Sequence, residues 1–469
     1  MKENHSFIHS FEPSTLPMTK EEIKQAISNH PAHKVKVAIT DIDGILRGKV
    51  MHKDKFMSVL DGGFGFCSVV FGWDAVDTAY DNAKFTGWHT GYPDTDAQLD
   101  LSTFRKIPWE NDLPFFLGDF VNESGEGLSI CPRSLLKKVK QEAMDGGYIP
   151  QFSQEFEWFN FAETPETLDE KGFTNIQPLT PGMFGYSILR SSLNSPYFND
   201  LFDLMLRFDV PLEGLHTETG PGVYEAAILY GDILEAADRA VLFKTGAKEI
   251  AYRHGVMATF MAKVNQELPG CSGHVHQSLW DSNKEKNLFY DEGDENGMSP
   301  LMQSYVAGQL HCLPHILPMF APTVNSYKRL VEGAWAPTTA TWGTDNRTTA
   351  LRVLAGGKKS TRLETRVPGS DVNPYLAMAA SLASGLYGIK HELKLEQPKT
   401  AESGYKDEQY GILPHDLQEA TQAMKKSELA EELFGADFVD HFIRTREWEW
   451  RQFSNAVTDW EVKRYFEVI

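Results

Sequence analysis

The chain has 469 residues, with 45 basic against 65 acidic side chains and a formal net charge of −20. That length exceeds one ordinary hydrophobic core and makes two domains the default, while the negative balance argues against nucleic acid or an anionic membrane as a main partner. The four cysteines (Cys67, Cys131, Cys271, Cys312) include no CxxC pair, which argues against a zinc ribbon or a disulfide framework and fits reduced thiols in a cytosol. Residues 1–10 are polar and lack the apolar segment of a signal peptide. No run reaches the ~18 apolar residues of a membrane helix, so a soluble, cytoplasmic protein is expected.

In chain order, Thr19-Lys20-Glu21-Glu22 has the form of a capping box, with Ile23, Ala26 and Ile27 giving a short amphipathic helix behind it. Residues 35–39 and 46–50 read as strands around the turn Asp41-Ile42-Asp43-Gly44. Residues 61–100 are rich in Gly, Asp and aromatics and read as a functional loop or a surface excursion. Pro108 and Trp109, then residues 113–121, suggest a strand pair. A turn cluster at 123–127 marks the boundary between domains 1–125 and 126–469. Beyond it, 132–143 is a helix with Pro132 at its first position, 148–161 a strand and 191–208 a helix. Residues 215–230 form a hairpin broken by Gly220-Pro221-Gly222, and 232–252 and 299–319 are helices. The segment 417–465 is amphipathic helix, with Trp448, Trp450 and Trp460 as packing anchors.

The chemistry gathers on alternating positions. His274 and His276 stand two apart in a strand-like run, as do Glu155 and Glu157, and Arg362, Glu364 and Arg366. Residues i and i+2 of a strand share a face, so three such strands facing one cavity would form a site dense in carboxylate, imidazole and guanidinium. A lone His-x-His is usually just two polar residues on a solvated face; the recurrence of the spacing is what points to a site. Glu218 and Glu225 flank the Gly-Pro-Gly turn and can converge on one ion. The resulting set, Glu155, Glu157, Glu218, Glu225, His274 and Glu364, is mostly oxygen and suits Mg2+ or Mn2+ better than zinc, with more than one ion per site to offset the charge. Arg329, Arg347, Arg352, Arg362 and Arg366 cluster within forty residues, a concentration that suits phosphate or carboxylate better than intrachain pairing alone. Divalent cations with several arginines are what phosphoryl transfer requires, and no P-loop or kinase glycine loop is present.

These motifs together, with Asn325-Ser326-Tyr327-Lys328-Arg329, Asn346-Arg347 and Asn373-Pro374-Tyr375-Leu376, resemble the glutamine synthetase superfamily in its order across nearly the whole chain. The resemblance implies an α+β chain with an N-terminal β-grasp domain, a C-terminal catalytic domain and a homo-dodecamer of two hexameric rings. It implies ATP and L-glutamate as substrates and two or three Mg2+ or Mn2+ ions per site. Glu157, Glu218 and Glu225 would hold one metal, and Glu155, His274 and Glu364 another. His276, Ser278 and Arg362 would serve the nucleotide, and Arg347 and Arg352 the transferring phosphoryl group. Arg329 and Arg366 would grip glutamate beside the altered loop at Gly270, while Asp41 would reach in from a neighbouring subunit. The family's base, a glutamate six residues after the arginine of Asn-Ser-Tyr-Lys-Arg, is Trp335 here, and a tyrosine of the ammonium pocket aligns with Met183. An indole cannot accept a proton, and a Trp-Met wall suits an alkyl or aryl group. The expected activity is therefore a glutamate–amine ligase, with ammonium-using glutamine synthetase or a non-catalytic structural relative as alternatives.

Overall fold

The computed structural model describes residues 18–469; the polar segment 1–10 lies outside the described residues. The capping box forms as read: Thr19 accepts from the Glu22 amide, Glu22 accepts from the Thr19 amide, and the helix Lys20–Asn29 follows. Six strands then make the first sheet: β1 (Lys34–Thr40), β2 (Leu46–His52), β3 (Phe64–Cys67), β4 (Asp94–Leu99), β5 (Arg105–Ile107) and β6 (Leu113–Phe120). Their order is β2-β1-β6-β4-β3, with β5 on β6. β1 runs antiparallel to β2 and parallel to β6, so the sheet is mixed. The turn after β1 depends on Gly44, at φ +79°, where an added Cβ would sit 3.0 Å from the Asn373 Cα. Asn373 in turn donates to the Ile42 carbonyl.

The second sheet holds nine strands: β7 (Ile149–Phe161), β8 (Leu212–Thr217), β9 (Val223–Ile228), β10 (Gly231–Asp232), β11 (Met257–Thr259), β12 (Gly273–Trp280), β13 (Trp342–Thr344), β14 (Leu351–Leu354) and β15 (Arg362–Thr365). Its order is β13-β14-β15-β12-β7-β9-β8, with β10 and β11 on β7. The long helix Ile233–Arg253 packs beneath β7, bringing Phe243 against Phe156 and Trp158. The largest core draws on both sheets, joining Ala38, Ile42, Phe115 and Leu117 to Phe152, Trp158 and Leu242.

A buried ionic network ties these layers. Arg133, on the helix Pro132–Asp145, donates to Asp238 of the helix beneath β7, to Asp119 of β6 and to Asp100, while the Tyr375 hydroxyl donates to Asp238. The helix Ala436–Asn455 clasps the loop after β3, where Trp448 donates to Asp74 and Arg444 to the Asn82 carbonyl, and the turn after β1, where Arg446 donates to Asp43.

Two readings need correction. Residues 191–208 are two helices, Ile188–Leu193 and Ser195–Arg207, because Asn194 ends the first and Pro196 opens the second. Trp448 is buried, but Trp460 is 60% exposed on the short helix Asp459–Tyr465, which buries none of its residues, so among the described residues it is no packing anchor. All four cysteines are free. Among the described residues no helix is long and apolar enough to cross a membrane.

Candidate active site

Strand register builds the site. Glu155 of β7 stands opposite His274 of β12, and Glu157 of β7 opposite Glu225 of β9. His216 of β8 pairs with Glu225, His276 of β12 with Glu364 of β15, and Glu364 with Arg352 of β14. Directly paired residues share a face, so the polar row runs across the sheet from β14 to β8. The alternate positions Phe156, Trp158, Val275 and Leu363 face the core and are fully buried.

Two groups of donors converge on this face. Glu155, His276 and Glu364 each place an atom within 4.8 Å of the others, and His216, Glu218 and Glu225 do the same. His276 Nε2 lies 2.7 Å from Glu155 Oε2, and Arg362 Nε donates to His276 Nδ1 at 3.3 Å. His274 sits beside the first group, Nδ1 3.3 Å from Glu364 Oε1, and its buried Nε2 has no protein partner. Glu157 lies between the groups and accepts from the Ser272 amide at 2.7 Å.

The electrostatics are those of an acidic cluster in search of positive charge. Burial pushes Glu157 up to about 7 and, with Glu155 and its proton-sharing contact, pushes Glu225 far above the carboxylate range. Burial also acts on Glu155, but Glu225 and His276 outweigh it and hold that carboxyl well below its usual range. Glu364, likewise opposed by burial, is held at about 2 by His274, His276 and Arg366. Burial and Arg366 push His274 well below the usual imidazole range, toward the form in which imidazole binds a metal. Carboxylate oxygens with an unpartnered buried imidazole nitrogen therefore fit hard divalent cations.

The arginines divide by what they touch. Arg352 donates to Asp345 and Glu364, and Arg366 donates to Glu364, to the Arg347 carbonyl and to the Trp335 carbonyl. Arg329 is buried, donating to the Val367 carbonyl and the Ser272 hydroxyl. It passes so close to Gly270 that an added Cβ there would lie 2.7 Å from its Cγ. Among the described residues the Arg347 guanidinium makes no hydrogen bond or ion pair; it lines a recess of about 540 Å3 with Trp335, Asp345, Asn346 and Lys399. Ser278 is two residues along β12 from His276 and accepts from the Trp280 indole.

Three expected residues stand apart from the carboxylate row. Asp41 is buried in its own turn, accepting from the amides of Asp43 and Ile45 and from Arg47. Burial and Asp43 push it up to about 7. Among the described residues it makes no hydrogen bond or ion pair with the carboxylates of the second sheet. Trp335 is 63% exposed at φ +57°, a strained setting for so bulky a residue. Met183 is half-exposed at the start of a segment that docks on β8 through Tyr186, whose amide donates to the Thr217 carbonyl.

Two residues were missed. His216 belongs to the second donor group, and Tyr186 stacks on it with ring centroids 4.4 Å apart. His216 and Glu218 follow the same i, i+2 alternation as Glu155 and Glu157, so the spacing held the signal.

Comparison with known proteins adds an independent line. Residues 129–465 match the glutamine synthetase catalytic domain. The chain is 55% identical over 462 residues to a type-1 glutamine synthetase of Dictyostelium discoideum, covering 98% of this chain and 88% of that one. It is 36% identical over 452 residues to a glutamate–isopropylamine ligase of a Pseudomonas species, covering 96% and 98%. Among solved structures it resembles an ADP complex of GmaS, with a TM-score of 0.82 and 27% identity over 94% of this chain and 99% of that one.

Proposed function

The chain belongs to the glutamine synthetase family, and from that premise we propose that it joins the γ-carboxylate of L-glutamate to an organic amine, converting ATP to ADP and phosphate. The observation that carries the amine assignment is the placement of Trp335. Its carbonyl accepts from Arg366, which also holds Glu364, and its exposed indole shares a recess with Arg347. The position that resembles the family's proton-accepting glutamate is thus an apolar wall beside the sheet carboxylates. An alkyl or aryl group packs on such a wall, and an alkylammonium gains ~0.5–2 kcal/mol over the indole face.

In this reading the γ-carboxylate of glutamate attacks the terminal phosphorus of ATP, ADP leaves, and a γ-glutamyl phosphate forms. The amine nitrogen then attacks the γ-carbonyl carbon, phosphate departs, and the nitrogen gives up its proton. Arg329 and Arg366 orient the glutamate, and Arg347 and Arg352 meet the charge on the transferring group. The residues that would hold Mg2+ or Mn2+ are Glu155, His274, His276 and Glu364 on one side and Glu157, His216, Glu218 and Glu225 on the other. A bound divalent cation neutralises phosphate charge. With no carboxylate at position 335, Asp41 is the proton acceptor we assign; its carboxyl at about 7 is matched to that task. In a ring assembly the Asp41 turn of one protomer serves its neighbour.

A second reading has its own support. The 55% identical relative is named a glutamine synthetase, which favours ammonium as the nitrogen donor. Glutamate-dependent phosphate release from ATP and Mg2+ separates the two when ammonium is compared with alkyl, aryl and polyamine substrates. Turnover with an organic amine well above that with ammonium is expected. Preference for ammonium restores the second reading, and silence with every amine rejects both.

A further inference from the structure

The helix Pro300–Ile316 turns its inner face to the core, where Tyr305 and Gln309 both donate to Gln277 of β12. Its outer face carries His311 and His315. Residues four apart lie one above the other on a helix, and the two imidazole centroids are 6.3 Å apart at 47°. Among the described residues neither imidazole hydrogen-bonds a protein group. Both line a cleft of about 600 Å3 whose opposite wall is Glu428, Leu429 and Glu432.

A third histidine lies nearby, across the Tyr387 ring from the pair. His391 caps the helix Pro374–Lys390 and stacks on Tyr387 at 4.1 Å, while the other side of that column is His311, parallel to Tyr387 at 5.7 Å. His391 Nε2 lies 3.7 Å from Glu432 Oε1. Tyr387 thus fixes the plane of His311, while Glu432 is shared by His391 and by Lys390, whose Nζ lies 4.0 Å from the same oxygen.

We propose that His311 and His315, with Glu432 across the cleft from them, bind a divalent transition ion of the Zn2+ type at this outer cleft, apart from the carboxylate face. Imidazole pairs select Zn2+, Ni2+ or Cu2+ over Mg2+, and two histidines four apart on a helix are a recurrent chelate. With metal–nitrogen bonds of about 2 Å, two imidazoles on one tetrahedral ion have centroids about 5 Å apart. The observed spacing therefore closes with a small side-chain rotation. The ion would clamp the helix Pro300–Ile316 to the helix Glu428–Phe434, giving the cleft a structural or metal-sensing role.

The test uses the full-length protein in excess Mg2+ and ADP and reads wild type against variant, so that Zn2+ taken up by the carboxylate face cancels. Calorimetric titration with Zn2+ is expected to show one further ion per chain. His311→Gln combined with His315→Gln should remove it, and Glu432→Gln should weaken it by about tenfold. Co2+ in place of Zn2+ should give the visible absorption of an imidazole-bound ion in the wild type, a readout that does not depend on any variant folding. Equal Zn2+ stoichiometry and affinity in the wild type and the double variant would overturn the proposal. So would a wild type that takes up no Zn2+ under excess Mg2+, or no Co2+ band.

Discussion

Glu364 is the most densely contacted carboxylate of the candidate site. Arg352 and Arg366 donate to its two oxygens, and His274 approaches at 3.3 Å. Such pairing offsets the cost of a charge that is 1% exposed. Trp335 connects to it through Arg366, so a change at 335 reaches the reacting centre without entering the core. Trp335→Glu should raise turnover with ammonium relative to organic amines by about 100-fold, the lower range of what a positioned general base contributes. Steady-state assays with both nitrogen donors check this, and an unchanged preference would remove the indole from the specificity argument. Much of this site was legible before any coordinates, because a strand's two-residue period is simple: Glu155, Glu157, His274, His276 and Glu364 share a face as expected. What the period does not specify is which neighbouring strand brings which partner. His276, expected for the nucleotide, instead approaches Glu155 and Glu364, and His216 reaches the second group only through its pairing with Glu225.

At the level of elements, Arg133 is the joint. Its helix supplies one guanidinium to carboxylates from β6, from the segment after β4 and from the helix beneath β7. Arg133→Met leaves Asp238 buried without its cation, while Asp119 keeps Lys137, and removing one partner of a buried pair costs ~3–5 kcal/mol. Urea denaturation followed by circular dichroism should register that loss; a change under ~0.5 kcal/mol, the scale of an ordinary surface substitution, would refute the joint. Element boundaries were read well where a residue type forces them. Thr19 with Glu22 started a helix, and Pro132 opened another. Such cues act within a few residues. Trp460 failed as an anchor for the same reason: apolar character implies burial only when something covers it, and helical periodicity does not say what does.

At the scale of the whole molecule, His441 marks the seam between the helix Ala436–Asn455 and the first sheet. Its ring meets Phe71 edge-on, and neither ring nitrogen has a hydrogen-bond partner. Burial lowers it to about 4, against about 6.5 in an unfolded chain. The folded state therefore binds fewer protons between those values. Its contribution to stability is complete above pH 6.5 and fades as pH falls toward 4, by up to ~3 kcal/mol. Thermal melts from pH 7 to 4.5 should fall more steeply for the wild type than for His441→Gln; parallel slopes would assign the acid sensitivity elsewhere. The clasp around this seam also has a history in time. Asn82 and Arg444, 362 positions apart, exchange hydrogen bonds, and Asp43 meets Arg446 across 403. During translation the loop after β3 leaves the ribosome long before the helix that will hold it exists. A nascent chain must carry that loop unclasped, open to proteases and chaperones, until the helix Ala436–Asn455 emerges.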